Sequence, residues 1–537
     1  MPRLTIDRRA IEVPAGTTIL EAARQLGITI PTLCYRPECR PETSCMVCVV
    51  KIEGQERLVP ACATVCTEGM IVESETPEVH HARRVALELL FSDHRGDCVA
   101  PCHYICPANL DIPRMIELIG AGCMREAVEV TKQTIPFPAV LGRICPAFCE
   151  KGCRRAQLDS PLAIRLLKRL VGDFDLACAQ PYVPECRPPT GKRVAIIGAG
   201  PAGLTGAYYL RQMGHEVVVL EAAQAPGGGL RTGLGESDLP RDVLQGEIAH
   251  VELVGMEIRT GIQVGRDVRL GALQREFDAV LVACGEVTEE GAAALGLSLH
   301  GKGLAHDRQT LMTERLGVFV AGSALMPSHH AVRAVGTGRL AAEAIGQYLA
   351  GKHVHVDHRP YTVLMGRLDP GEMALFAAAA SPSDRVKPEG GEETGLGADE
   401  ARAESARCLQ CDCEGVYCCR LRHWGHIYEA NPHRVKISRK PFERDLSHPN
   451  LVYEPGKCIA CGLCVQIAEA AREPLGLTFI GRGFRVKVGV PFDESLAAGL
   501  QEVARHAAKA CPTAALMWHV EEPPCGGEDR QGGAQGP

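Results

Sequence analysis

Cys34, Cys45, Cys48 and Cys62 stand in the pattern C-x10-C-x2-C-x13-C, and the chain carries 26 cysteines in all, most in comparably short runs. Neighbours two or three residues apart make poor disulfides because the geometry of a bridge is narrow. Thiolates at these gaps converge readily on a metal centre. Sulfur ligands favour zinc or iron–sulfur clusters. One zinc ion accounts for an isolated group of four; several unlike groups beside a nucleotide motif favour clusters. SCMVCVV puts Cys45 and Cys48 on a tight loop before a strand. The loop is expected to give both to one iron, with Cys34 and Cys62 approaching from either side to complete a [2Fe–2S] centre. Cys39 and Cys66 fall outside the pattern.

KRVAIIGAGPAGLTGAYYLRQMGHEVVVLE is the most specific motif in the chain. Val194–Ile197 reads as an apolar strand, and Gly198, Gly200 and Gly203 give GxGxxG at the turn into a helix. The first glycine permits the turn, the second lets a pyrophosphate approach, and the third lets helix pack on strand. The phosphates then meet the helix N-terminus. A second strand ends at Glu221, whose carboxylate can bind ribose hydroxyls.

DHRGDCVAPCHYICPANLDIP and GRICPAFCEKGCRR supply Cys98, Cys102, Cys106, Cys145, Cys149 and Cys153. Proline after Cys106 and Cys145 ends the local helix and turns the thiolate out. Towards the C-terminus, RCLQCDCEGVYCCRLR carries Cys408, Cys411, Cys413, Cys418 and Cys419. The first three with Cys419, or Cys418 in its place, are expected to hold a [4Fe–4S] cluster, with zinc as the alternative. KCIACGLCVQIAEA and KACPTAAL give C-x2-C-x2-C…C-P, so Cys458, Cys461, Cys464 and Cys511 are expected to hold another.

These runs resemble known families. The first cysteine group resembles the N-terminal ferredoxin domain of the large cluster-bearing subunit of respiratory complex I, and of related hydrogenases and formate dehydrogenases. GLTFIGRGFRVKVGVPF resembles that subunit's two-cluster ferredoxin region, with Ala468 at one lost ligand place. The middle runs resemble the small subunit of NADPH-dependent glutamate synthase and dihydropyrimidine dehydrogenase. That resemblance implies one cubane on Cys98, Cys102 and Cys153 and another on Cys106, Cys145 and Cys149. His94 lies near the place of a missing family cysteine, either as a ligand or as a bystander. Lys168 occupies the place of a Gln or Glu ligand; a charged lysine cannot ligate, so the fourth ligand is unassigned and the site is open, incomplete or completed by another residue. PGGGLRTG, with Gly228, Leu230 and Arg231, resembles the family's flavin contact. GVFVAGSALMPSHHAVRAVGTGRLAAEAI, with Gly322 and Ser323, resembles its C-terminal FAD segment. The cofactors implied are FAD, one [2Fe–2S] cluster and two to four [4Fe–4S] clusters.

The elements needed to hold these residues make a multidomain α+β and α/β chain. A β-grasp ferredoxin domain is expected over 1–79, with Thr17 capping a helix at Thr18–Leu26. A helical cluster domain follows over 80–185, then a Rossmann-like FAD domain over 190–352. The stretch 353–400 reads as linker, richest in Pro, Gly and Glu over Ser381–Gly397. A ferredoxin-like region over 401–520 and a disordered tail over 521–537 with a free Cys525 complete the chain. In the glutamate synthase family a second Rossmann domain binds NAD(P)H between the two FAD segments. Here only residues 286–316 separate AVLVACG from GVFVAG, with no second GxGxxG, so that domain is expected to be missing. Net charge is −7 with no basic block, which argues against a nucleic-acid partner. No apolar run is long enough to span a membrane. No export signal is read, so the chain is expected to be soluble and cytoplasmic, without direct membrane insertion. No Ser/His/Asp or paired-carboxylate set marks a catalytic residue. The expected function is an iron–sulfur flavoprotein subunit passing electrons for a protein redox partner or catalytic subunit. The alternative is a self-contained NAD(P)H-dependent oxidoreductase.

Overall fold

The computed structural model describes residues 1–435 and 441–519. The tail 521–537, with Cys525, lies outside them. The chain divides into two compact units: residues 1–99, 361–378 and 411 onward, and residues 100–360 with 379–410.

The first unit opens with β1 (Arg3–Ile6) and β2 (Arg9–Glu12), an antiparallel hairpin. Helix α1 (Ile19–Gln25) follows, then β3 (Val49–Ile52), β4 (Val59–Pro60) and β5 (Ile71–Glu73). The sheet runs β2-β1-β5-β3-β4, with β1 and β5 parallel. Ile6, Ile19, Leu20, Ala22, Ala23 and Val50 fill the space between sheet and helix. Thr18, not Thr17, caps α1: its hydroxyl accepts from the Glu21 N–H, and the Glu21 carboxylate accepts from the Thr18 N–H at 2.8 Å. Glu21 three residues on selects Thr18 through this reciprocal pair. Helix α2 (Pro77–Ser92) leads to Cys98. Later in the unit come the helices Arg420–Ile427, Leu463–Ala471 and Ala504–Ala510, and a sheet pairing Leu451–Tyr453 with Leu516–Trp518.

The second unit starts with six helices: α3 (Pro101–Ile105), α4 (Ile112–Gly120), α5 (Met124–Lys132), α6 (Pro138–Ile144), α7 (Phe148–Lys151) and α8 (Ile164–Ala177). A Cβ at Gly172 of α8 would stand 2.1 Å from the Ala139 nitrogen, so the glycine lets α6 and α8 touch. An all-parallel sheet follows: β6 (Arg193–Ile197), β7 (Glu216–Glu221), β8 (Glu257–Thr260), β9 (Ala279–Val282) and β10 (Val318–Val320), ordered β10-β9-β6-β7-β8. Helix α9 (Pro201–Gln212) joins β6 to β7, and α10 (Ala331–Leu349) packs beside it. Residues 286–316 hold a short helix, Glu289–Leu295, and a two-stranded hairpin. The stretch 381–397, read as linker, is bonded into this unit. Arg385 donates to the Pro161 carbonyl and the Glu150 carboxylate, and the Val386 N–H donates to Glu404. No helix among the described residues is long and apolar enough to cross a membrane.

Candidate functional site

In the second unit, Gly198 sits at φ +102°, where a side chain would be strained. A Cβ at Gly203 would fall 1.9 Å from the Gly198 carbonyl oxygen, so helix meets strand only because that position is bare. Gly228, at φ +50°, faces Gly200 across a gap that a Cβ would close to 2.9 Å. These two bare backbones form a cradle that fits a pyrophosphate above the N-terminus of α9. The Glu221 carboxylate is buried and accepts from the Ala199 N–H at 2.6 Å and the Ala223 N–H at 2.8 Å, which fixes it at the strand end. Leu230 is buried, and Arg231 donates to the Pro226 carbonyl at 2.8 Å, tying the glycine loop to itself. The Gly322 N–H donates to Thr337 Oγ1 at 2.9 Å, and Ser323 Oγ donates to the Ser328 carbonyl. The donor set and the cradle fit a dinucleotide such as FAD.

The cysteines of this unit sit close by. Burial raises the pKa of the Cys106 and Cys149 thiols; the Cys149 sulfur senses Cys106 and Cys145, and both sense Lys168. Lys168 is only 4% exposed, and no carboxylate is bonded to it among the described residues. Helices α6 and α7, which flank or carry Cys145 and Cys149, both pack on α8, the helix of Lys168, and three thiols fit a three-cysteine cubane. A Cβ at Gly336 of α10 would stand 2.2 Å from the carbonyl oxygen of Pro107, the residue after Cys106. His330, at the start of α10, packs edge-on against Phe148, the residue before Cys149, with centroids 5.2 Å apart. Cys102 lies on α3, which packs on α7, the helix just ahead of Cys153. Arg155, just past Cys153, donates to the carbonyl of Arg407 at 3.0 Å, so this turn is stapled to the residue preceding Cys408.

In the first unit the four ferredoxin cysteines are buried together. Cys34 and Cys45 place their sulfurs 3.3 Å apart, and Cys48 makes a second sulfur–sulfur contact with Cys62. Cys45 and Cys48, expected to be offered together to one iron, each meet a different partner sulfur here. Spacing puts two thiols on one loop, but Met46 between them, in the left-handed region at φ +52°, turns them to different partners. Two pairs of thiolates suit the two irons of a [2Fe–2S] centre.

Cys458, Cys461, Cys464 and Cys511 line one pocket with Tyr453, Val488 and Pro512. The Ala460 N–H donates to Cys458 Sγ at 3.4 Å and the Leu516 N–H to Cys511 Sγ at 3.5 Å. Ala460, at φ +52°, and Gly462, at φ +75°, turn successive amides inward. Such nests are made for anionic clusters, at about 1–2 kcal/mol for the left-handed alanine.

Cys98, Cys413 and Cys419 are also buried in this unit. The Cys413 N–H donates to the Cys98 carbonyl at 3.3 Å. Cys98 keeps company with Cys413 and Cys419, a grouping that differs from the expected one. His94 is 7% exposed; burial, helped by the Lys457 ammonium, pushes its pKa down to about 3 and keeps the ring neutral. Lys457 itself had no signal in the sequence beyond preceding Cys458. Its ammonium donates to Cys413 Sγ at 3.2 Å and pairs with Glu454. Cys411 is buried, and Cys418 is exposed. No three His, Cys, Asp or Glu residues among the described ones close on a point as ligands of a single metal ion would. A cubane spreads its ligands over four irons.

Three family models match: a 2Fe-2S iron-sulfur cluster binding domain over residues 2–77, dihydropyrimidine dehydrogenase domain II with its 4Fe-4S cluster over 94–179, and an NAD(P)-binding Rossmann-like domain over 196–237. The chain is 42% identical over 207 residues to the NADP(+)-dependent formate dehydrogenase subunit beta of Moorella thermoacetica, covering 35% of this chain and 29% of that one. It is 39% identical over 190 residues to the NADPH-Fe(3+) oxidoreductase subunit beta of Geobacter sulfurreducens, covering 35% and 28%. The glutamate synthase [NADPH] small chain of Bacillus subtilis is 35% identical over 211 residues, covering 39% and 42%. The chain thus spans less than half the length of each of these relatives. It is a multidomain α/β protein with iron–sulfur domains and a Rossmann-like NAD(P)-binding domain.

Proposed function

We propose that this chain is an iron–sulfur flavoprotein subunit that passes electrons between FAD and several clusters on behalf of a partner oxidoreductase. FAD can exchange electrons as a pair or one at a time and clusters exchange them singly, so together they convert between the two kinds of carrier. The observation that carries the reading is the seat of α10. Its N-terminal turns touch Pro107 and Phe148, next to Cys106 and Cys149, while Gly338 on the same helix lies against Ala202 at the start of α9. One helix therefore packs on both a cysteine site and the dinucleotide cradle. The relatives, named as subunits, support a protein partner. The first ferredoxin group, with Cys34, Cys45, Cys48 and Cys62, and the pocket of Cys458, Cys461, Cys464 and Cys511 extend the relay in the complex I-like manner. Anaerobic iron, zinc and flavin analysis tests this. FAD with a [2Fe–2S] and several cubanes per chain is expected; stoichiometric zinc, or iron enough for the [2Fe–2S] alone, would sink it.

A further inference from the structure

Cys98 and Cys419 are more than three hundred positions apart in the numbering, yet they are packed into one core with Val363, Phe91 and Trp424, and the Cys413 N–H donates to the Cys98 carbonyl at 3.3 Å. Each sulfur has its own donor. The Val363 N–H points at Cys98 Sγ at 3.5 Å, the Arg422 N–H at Cys419 Sγ at 3.4 Å, and Lys457 Nζ at Cys413 Sγ at 3.2 Å. None of the three is in a disulfide, and each is less than a tenth exposed. Lys457 pairs with the buried Glu454 and also reaches Cys413 Sγ; donors to sulfur of this kind stabilise an anionic cluster held by thiolates.

His94 supplies the second, independent observation. Its ring is only 7% exposed, and Nδ1 is buried with no hydrogen-bond partner. A buried nitrogen left unpaired is unfavourable. A neutral imidazole in that state can offer the nitrogen's lone pair to a metal. We propose that Cys98, Cys413, Cys419 and His94 hold one [4Fe–4S] cluster, built from a segment before the helical module and a segment after the dinucleotide domain. The assignment rests on the iron–sulfur reading above. It removes Cys98 from the cluster expected with Cys102 and Cys153, and separates Cys413 and Cys419 from Cys408.

The test uses the full chain purified anaerobically. Cys98→Ser, Cys413→Ser and the double variant are compared by iron content and by EPR after dithionite reduction. If one cluster uses both sulfurs, each single variant loses the same cubane signal, and the double variant loses no more iron than either. Additive loss, two cubanes in place of one, overturns the shared site. The [2Fe–2S] signal of Cys34 and Cys45, which lie in the same core, reports that the unit has folded. Where a serine variant does not fold, His94→Cys keeps four ligands and serves instead. Pulsed EPR of the reduced wild type is expected to show strong nitrogen coupling to one cubane, lost in His94→Cys while its iron remains. No coupling in the wild type, or the same coupling in the variant, removes His94 from the site. A wild-type protein with flavin and [2Fe–2S] but no cubane overturns the relay reading as well.

Discussion

Two buried lysines of the second unit show how one residue type takes opposite roles. Lys132 on α5 pairs with Asp175 on α8, and the Tyr182 N–H donates to the same carboxylate at 2.8 Å. Burial pushes the Asp175 pKa up, but His250, Lys132 and Tyr182 outweigh it and hold the value at about 2, against 3.8 for a free side chain. Asp175→Asn strands the Lys132 charge and is expected to cost about 3–5 kcal/mol, read as a fall in the denaturation midpoint at pH 7. The sign with pH follows from the lowered value. The wild type's advantage is full above 3.8 and fades as pH falls towards 2. An advantage that grew on acidification would contradict the pairing. Lys168 has no such carboxylate among the described residues, and its side chain lies within electrostatic reach of the Cys106 and Cys149 sulfurs. Its charge favours the more negative, reduced form of a cluster on Cys106, Cys145 and Cys149. Lys168→Met should therefore lower that cluster's reduction potential, measured by EPR-monitored redox titration; an unchanged potential would show that the lysine is turned away from the sulfurs.

Helix α10 carries glycines whose substitution separates two kinds of contact. A Cβ at Gly338 would meet the Ala202 carbonyl oxygen at 2.3 Å, and backbone cannot step aside. A Cβ at Gly346 would meet Met213 Sδ at 2.7 Å, the movable end of a flexible side chain. Gly338→Ala is expected to cost about 1–3 kcal/mol by forcing α9 and α10 apart and to lower the flavin-to-protein ratio, because α9 carries the cradle. Gly346→Ala should keep its flavin; a similar loss in both variants would refute this distinction. How much of this was legible beforehand depended on distance along the chain. GxGxxG and Glu221 were readable because strand, turn and helix are consecutive and each glycine has its own steric reason. The pocket of Cys458, Cys461, Cys464 and Cys511 was readable because three of its thiols share one loop. Spacing does not say which sulfur meets which, so the Cys34–Cys45 and Cys48–Cys62 pairing had to come from the fold. Nothing local links Cys98 with Cys413, and nothing in KCIAC marks Lys457 as a buried donor to another run. The Pro- and Glu-rich stretch 381–397 looked like linker because its partners, Glu150, Pro161 and Glu404, are contributed by other segments of the chain.

At the scale of the whole molecule, the question is where electrons enter. Relatives that match the chain are named for NADP(+), NADPH or NAD, and each is more than twice as long as the segment it shares. Hydride transfer needs the nicotinamide ring stacked on the flavin, which requires a seat for the rest of the dinucleotide. A βαβ unit able to supply that seat takes about 30 residues by itself, and a full domain takes several such units. Residues 286–316 are spent on one short helix and a two-stranded hairpin. The parallel sheet passes from β9 to β10 with nothing of that kind between them. NADH and NADPH alone are therefore expected not to bleach the flavin of the isolated chain at a useful rate, whereas dithionite should bleach it fully. Stopped-flow mixing with excess NADPH or NADH under anaerobic conditions measures this. Slow or absent bleaching fits a relay fed by a partner protein. Rapid bleaching by either nucleotide would mean that a nicotinamide site exists, and the self-contained oxidoreductase would then be the better description.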